Sequence, residues 1–367
     1  MPTMSAFARS AFRARSYEGE DVLAECDDVD LIQLKPSRSF PLKSRLVGGI
    51  VYRDLSRRAV NLNPGLEPVR LSRDYDLFVL LCSAWWPDLW YANAVQGWQD
   101  RCRTSVCWID ELWARDVREW RRWLPILNKF DHVIVGINGT AEPLRDALGR
   151  SCHEMQGGVD TMRFTPYPNC PRRVVDLYSI GRAVQPIHQR LLEWTDQQGL
   201  FYLYDSIAKI AVADTLGHVQ HRSLYANVVK RSRLFTVAPA KMDSPGETQG
   251  QVALGARYFE GAAAGAVLIG QVPECEAFHR HFDWQDAVVE IRPDGSDAVE
   301  VISKLLAEPE RLLAMSSRNA AESLRRHDWV YRWKEVLRMA GLTPRPAMAA
   351  REKRLGELAE EAMRDVR

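Results

Sequence analysis

The sequence predicts an α/β protein of two Rossmann-like domains facing an interdomain cleft, with closing helices at the C-terminal end. Two observations carry this. Short apolar, β-rich runs alternate with amphipathic stretches in both halves of the 367 residues, the pattern of parallel sheets covered by helices. A punctuated segment around Gly157 to Pro171, with GGVD and TPYPNCP, separates the halves. The expected division is 1–165, 166–340 and a helical tail, 341–367.

In the first half, strands are expected over Asp30–Leu34, Leu77–Leu81, Ser105–Ile109 and His132–Ile137. Trp85, Trp86, Trp90 and Trp98 precede the third run, and Trp113, Trp120 and Trp123 follow it at near-helical spacing. Most of these read as packing residues, although an aromatic face also suits the apolar face of a sugar ring. The second series starts with VVDLYSIG from Val174. It continues through a helix to Trp194, LFYLY, a helix over Leu224 to Lys230, RLFTVA, and GARYFEGAAAGAVLIG, Gly255–Gly270. In this last run a helix over Arg257–Ala264 leads into a buried strand, Ala266–Ile269. The tail after GLTPRP mixes both signs of charge and reads as a solvated or loosely docked helix.

Composition excludes several function classes. Forty-nine basic and forty-eight acidic residues leave a net charge of +1, so no global field calls for nucleic acid. No apolar run approaches the ~20 residues of a membrane-spanning helix, and peripheral membrane contact stays open. The seven scattered cysteines suit reduced thiols in cytoplasm. No C-x-x-C pair occurs, and His218 with His221, or His279 with His281, lack the company of a zinc site, so no metal is expected. The acid-free start FARSAFRARS resembles a transit peptide or a basic surface helix.

The candidate site follows from the second half. Glu260 is a lone acid in an apolar helix, where an unpaired carboxylate costs several kcal/mol. A sugar hydroxyl pair would partner it; so would Arg257 three residues earlier. The free N–H groups at the start of that helix favour phosphate, and Arg257 adds a cationic fork.

These stretches resemble the GT-B glycosyltransferases of the group 1 kind, particularly the branch with a spore-coat-maturation-protein-like C-terminal domain. MQGGVDTMRF (Met155–Phe164) is similar to the family's N-G-V-D-x-x-x-F segment, with Gly157 where asparagine often sits. LYSIGR (Leu177–Arg182) is similar to the strand and glycine–arginine turn that faces the donor diphosphate. ARYFEGAAAGAVLIG resembles R-x-F-E-x-x-A-x-G-x-x-x-L. The helices over Ala298–Leu306, EPERLLAMSSRNAAESLRRHDW and YRWKEVL resemble the closing elements.

The resemblance implies a nucleoside diphosphate-sugar donor, a hydroxyl acceptor, no further cofactor, and a reaction that retains the anomeric configuration without a metal. It places Gly181, Arg182 and Arg257 at the diphosphate and Glu260 at the ribose. It also exposes departures. Val252 stands where a second glutamate often contacts the donor sugar; Glu247 is nearby but differently spaced. The lysine after the glycine–arginine turn is missing from GRAVQPIHQR. If the reaction inverts, the base candidates are Asp110 and Glu111 in CWIDELW and His132 in FDHVIV. Asp110 stands past a strand end, where α/β proteins bind ligands, or is a helix N-cap. The alternatives are a non-catalytic sugar-nucleotide or glycan-binding protein and a GT-B sugar-nucleotide epimerase.

Overall fold

The computed structural model describes residues 13–53, 55–56, 58–83, 86–205 and 217–364, without the side chains of residues 86 and 87. The chain falls into two compact units. Of the described residues, the first holds those of 28–157 and 333–344, and the second holds those of 13–27, 158–332 and 345–364. Of FARSAFRARS, residues 7–12 lie outside the described residues. Its remainder enters helix α1 (Ala14–Cys26), which buries Ser16, Glu18, Val22 and Cys26 and so is not a surface helix. Helix α2 (Phe40–Tyr52) starts with Pro41 in its first turn, where a missing N–H is harmless.

The first unit is built on a four-stranded parallel sheet of β1 (Tyr75–Cys82), β2 (Cys102–Ile109), β3 (His132–Val135) and β4 (His153–Glu154), in that spatial order. Because each crossover leads to the next neighbour, right-handed connections place their helices on one face. There Phe78, Cys82, Cys107, Ile109, Val133 and Val135 pack with Trp90, Trp98, Trp120 and Trp123. Trp98 stacks on both Phe78 and Phe130 at 4.7 Å between centroids. On the opposite face lies Trp108, and Trp333 meets it edge-on at 5.9 Å. Helix α3 (Ala141–Leu148) closes on Gly149 in the left-handed region. Trp90, Trp98, Trp113, Trp120 and Trp123 are all buried, which removes them as sugar-stacking surfaces; Trp85 lies outside the described residues.

Asp30–Leu34 forms no strand. Leu31 is half exposed, and Asp28 and Asp30 are drawn instead to Arg73, with the Tyr75 hydroxyl donating to Asp30 at 2.7 Å. Polar side chains hold this stretch in place of a backbone ladder.

The second unit contains a five-stranded parallel sheet. Its strands are β5 (Val175–Ser179), β6 (Tyr202–Tyr204), β7 (Ser232–Val237), β8 (Val267–Gly270) and β9 (Val289–Glu290). The spatial order is β9-β8-β7-β5-β6, so the winding direction reverses between β5 and β7. Helices α4 (Gln185–Gln198), α5 (Gly217–Lys230), α6 (Ala256–Ala263) and α7 (Ala298–Leu306) cover both faces. Leu177, Leu234, Val267 and Ile269 pack towards α4 and α7, while Phe235 and Leu268 pack towards α5 and α6. Alternation within β7 and β8 therefore serves two cores. At Gly261 an added Cβ would lie 2.6 Å from both Leu268 and Phe235, so α6 rests directly on the sheet.

Helices α8 (Pro309–Arg326), α9 (Trp329–Met339) and α10 (Pro346–Arg364) follow. Helix α10 is docked, not solvated: Met348, Leu355, Leu358, Ala359 and Ala362 are buried. Its Arg351 donates to Asp160 at 2.6 Å and Asp328 at 2.9 Å, and pairs with Glu25 on α1 at 3.0 Å.

Candidate functional site

In an open parallel sheet, ligands bind beyond the carboxyl ends of the strands where the winding reverses. Here that place is defined by the loop after β5, carrying Gly181 and Arg182, and the loop after β7, residues 238–255. Arg182 joins the two loops, donating to Asp243 at 2.7 Å and to the Ser244 hydroxyl at 3.0 Å. Lys241 and Glu247, both from the second loop, pair at 3.3 Å, and Glu247 is more than half exposed.

Helix α6 aims Arg257 at the first loop. Gly181 adopts φ +76°, which favours glycine, and a Cβ added there would lie 2.8 Å from the Arg257 Cζ. The guanidinium occupies the space that a side chain at 181 would need. Its Nε is buried and has no hydrogen-bond partner, so the fork is seated on the turn but not saturated. Tyr178, at the end of β5, feels this cation; burial nevertheless pushes its phenol up to about 12.

Glu260 lies one turn further along α6 and is 6% exposed. Its partner is Arg222 on α5, not Arg257: Arg222 Nη1 donates to Oε1, and the Tyr225 hydroxyl donates to Oε2 at 3.0 Å. Arg222 also donates to both carboxylate oxygens of Glu18 on α1, at 2.7 and 2.9 Å. Burial alone would push the Glu260 carboxyl up, but the Arg222 guanidinium outweighs it and holds the group below the usual carboxylate range. Glu18, itself fully buried, accepts in addition from the Asp160 N–H at 2.8 Å and pairs with Arg163 at 3.5 Å. Sequence spacing offered Arg257 as the neighbour of Glu260. The real partners, Arg222 and Tyr225, lie 38 and 35 residues upstream, beyond any local pattern.

His221, one position before Arg222, carries no local pattern that marks it as a donor contact. Its ring lies 6.5 Å from that of Tyr225, burial lowers its pKa, and its Nδ1 is buried without a partner. Gly181, Arg257, His221, Tyr225 and Glu260 thus form one polar cluster with two unsatisfied nitrogens.

The first-unit candidates do not come together. Asp110 directly follows β2, with its N–H donating to the Cys82 carbonyl at 2.8 Å, and it stands ahead of the next helical turn, whose N-cap is Trp113; Asp110 is not a cap. His132 begins β3 opposite Val106. Four residues of strand separate the two levels, about 13 Å. Asp110 is at the carboxyl end of the sheet and His132 at the amino end, 6.1 Å from the His153 ring. Glu111 accepts from the Trp113 indole at 3.0 Å.

Among the described residues no group of three or more His, Cys, Asp or Glu is placed to hold a metal ion. The seven cysteines are free. No described helix is long and apolar enough to cross a membrane.

Comparison with solved structures finds similar chains of low identity. One, from Anabaena, is Alr3699/HepE in complex with UDP-glucose: 10% identity, TM-score 0.47, covering 93% of this chain and 96% of that one. A GtfA/B complex gives 13% identity and TM-score 0.36 over 64% of this chain and 57% of that one. The accessory secretory protein 1, 2 and 3 structure from Streptococcus pneumoniae gives 9% and 0.40, over 72% and 53%. No curated protein sequence matches. Residues 172–338, which contain all five strands of the second sheet and the cluster around Glu260, match a family described as glycosyl transferase-like, and it is to this family that the second unit is similar.

Proposed function

We propose that the protein is a GT-B glycosyltransferase of the spore-coat-maturation-protein-like branch, moving a sugar from a nucleoside diphosphate-sugar to a hydroxyl acceptor. The observation that carries this reading is the Arg257 guanidinium seated on Gly181 where the second sheet reverses, with its Nε unsatisfied. The match of residues 172–338 to a glycosyl transferase-like family supports it.

The leaving diphosphate gains negative charge as the glycosidic bond breaks. A preorganised guanidinium beside backbone N–H groups lowers that barrier electrostatically. Arg257 takes the diphosphate, with Arg182 released from Asp243 as a second cation. Each Glu260 oxygen accepts one hydrogen bond in the protein, leaving lone pairs for ribose hydroxyls. The reaction retains configuration and uses no metal; were it inverting, Asp110, at the carboxyl end of its strand, is better placed than His132 to serve as base.

A non-catalytic sugar-nucleotide binder is the second reading. It is favoured by Val252, which offers no carboxylate to the donor sugar, and by Glu247, which is exposed and paired with Lys241. Calorimetry with UDP, GDP, dTDP, ADP and their sugars, followed by mass spectrometry of products, separates the readings. Binding lost in Glu260→Ala together with turnover of one donor supports the transferase. Binding without turnover or transfer supports the second reading, an altered sugar on the nucleotide indicates an epimerase, and absence of nucleotide binding sinks the donor site.

A further inference from the structure

Helix α2 presents an apolar stripe to solvent. Leu42, Leu46 and Ile50, four residues apart, are 64%, 58% and 36% exposed, and Leu55 beyond the helix is 69% exposed. The opposite face holds the helix down: Val51 is in the first unit's core and Val47 packs against it. The stripe is therefore a second apolar face on a helix already anchored by its first.

Its borders are cationic. Lys43 and Arg45 flank the stripe, Arg53 follows in line with it, and all three are exposed. From 35 to 58 the sequence has seven Lys and Arg against a single acid, Asp54. Arg122 adds another cation, 5.1 Å over the Tyr52 ring and donating to the Tyr52 carbonyl at 3.2 Å. This local charge contrasts with the +1 of the whole chain.

We propose that this face of α2 docks on an anionic lipid surface, with Leu42, Leu46 and Ile50 in the acyl boundary and the cations among the headgroups. An apolar face bordered by Lys and Arg on a helix held flat is the arrangement of an interfacial helix. A second copy of the chain fits poorly, because a two-fold contact would bring the same cluster of cations against itself. The proposal is independent of the sugar-transfer reading, since binding to lipid is measured without donor.

The test is co-sedimentation of the full chain with phosphatidylcholine vesicles, with and without phosphatidylglycerol, at low and high salt. Wild type should pellet only with the anionic vesicles and be released by salt. Leu42→Glu with Leu46→Glu should abolish binding. Lys43→Ala with Arg45→Ala should weaken it by about 30-fold at low salt, from the usual contribution of a cation near such a surface. All four side chains are exposed, and unchanged thermal melts would show that the fold persists. Failure to bind anionic vesicles, or undiminished binding by the leucine variant, would overturn the proposal. So would a lipid-free dimer that Leu46→Glu separates, because the stripe would then be covered by a second copy.

Discussion

Arg257 and Gly181 are fitted to one another: the guanidinium of the first fills the volume that any side chain at the second would occupy. Gly181→Ala should therefore displace Arg257 and strain a backbone at φ +76°, a cost of about 1–2 kcal/mol. If Arg257 takes the diphosphate, nucleotide affinity should fall roughly ten- to hundred-fold, the magnitude of a lost charge-assisted hydrogen bond. Calorimetry beside a denaturation curve checks both effects. Unchanged affinity in a folded variant would remove Arg257 from the site.

Arg222 neutralises two buried acids, Glu18 and Glu260. Arg222→Ala should destabilise the second unit by about 3–5 kcal/mol, because Glu260 stays buried without its hydrogen-bonded cation and Glu18 keeps only the longer pair to Arg163 among the described residues. Adding Glu18→Gln to that variant should recover part of the loss. A urea-denaturation double-mutant cycle reads the coupling directly.

Acid should weaken the protein below the ordinary histidine range. His281 is lowered to about 3, by burial and by Arg332, Arg280, Arg326 and Arg15; His327 is also lowered, chiefly by burial. The His327 Nε2–H donates to the His281 carbonyl at 3.0 Å. Both histidines are neutral when folded and more readily protonated when unfolded, so their contribution is complete above about pH 6.5 and is lost as pH falls towards 3. At pH 5 the His281 loss is about 2 kcal/mol. Urea midpoints at pH 7 and 5 measure it, and His281→Gln should flatten the dependence.

Helix α10 is secured by Arg351, whose side chain is 9% exposed and reaches Asp160, Asp328 and Glu25. Arg351→Ala should cost about 3–5 kcal/mol, as expected when a buried ion network loses the cation that its three acids share. Limited proteolysis should then cut first within residues 345–364. An unchanged digestion pattern would mean that Leu355, Leu358 and their apolar neighbours suffice.

The sequence made the second sheet legible because its strands are short apolar runs separated by amphipathic helices; Val175–Ser179, Ser232–Val237 and Val267–Gly270 all lie within the expected runs or one residue beyond them. The two-residue strands at His153 and Val289 are too short to carry a pattern. Asp30–Leu34 has the pattern of a strand and forms none, because an apolar run does not disclose whether a partner strand exists. At the site, Gly181, Arg257 and Glu260 stood out by local chemistry, whereas Arg222, Glu18 and His221 did not. Their meeting is a product of tertiary packing, which residue spacing along the chain does not encode. The same limit hid the docking of α1 and α10 in the second unit.

That interleaving has a consequence for synthesis. Glu18 is made 204 residues before Arg222, an interval of roughly 10–40 s at ordinary elongation rates. Until Arg163 is made the carboxylate has neither Arg163 nor Arg222 as its cation, and its full pairing waits for Arg222. The first unit waits as well, since Trp333 reaches Trp108 only after most of the chain has been translated. Neither unit is contiguous in sequence, so each lacks part of its packing until its late segment, 333–344 for the first and 345–364 for the second, has been made.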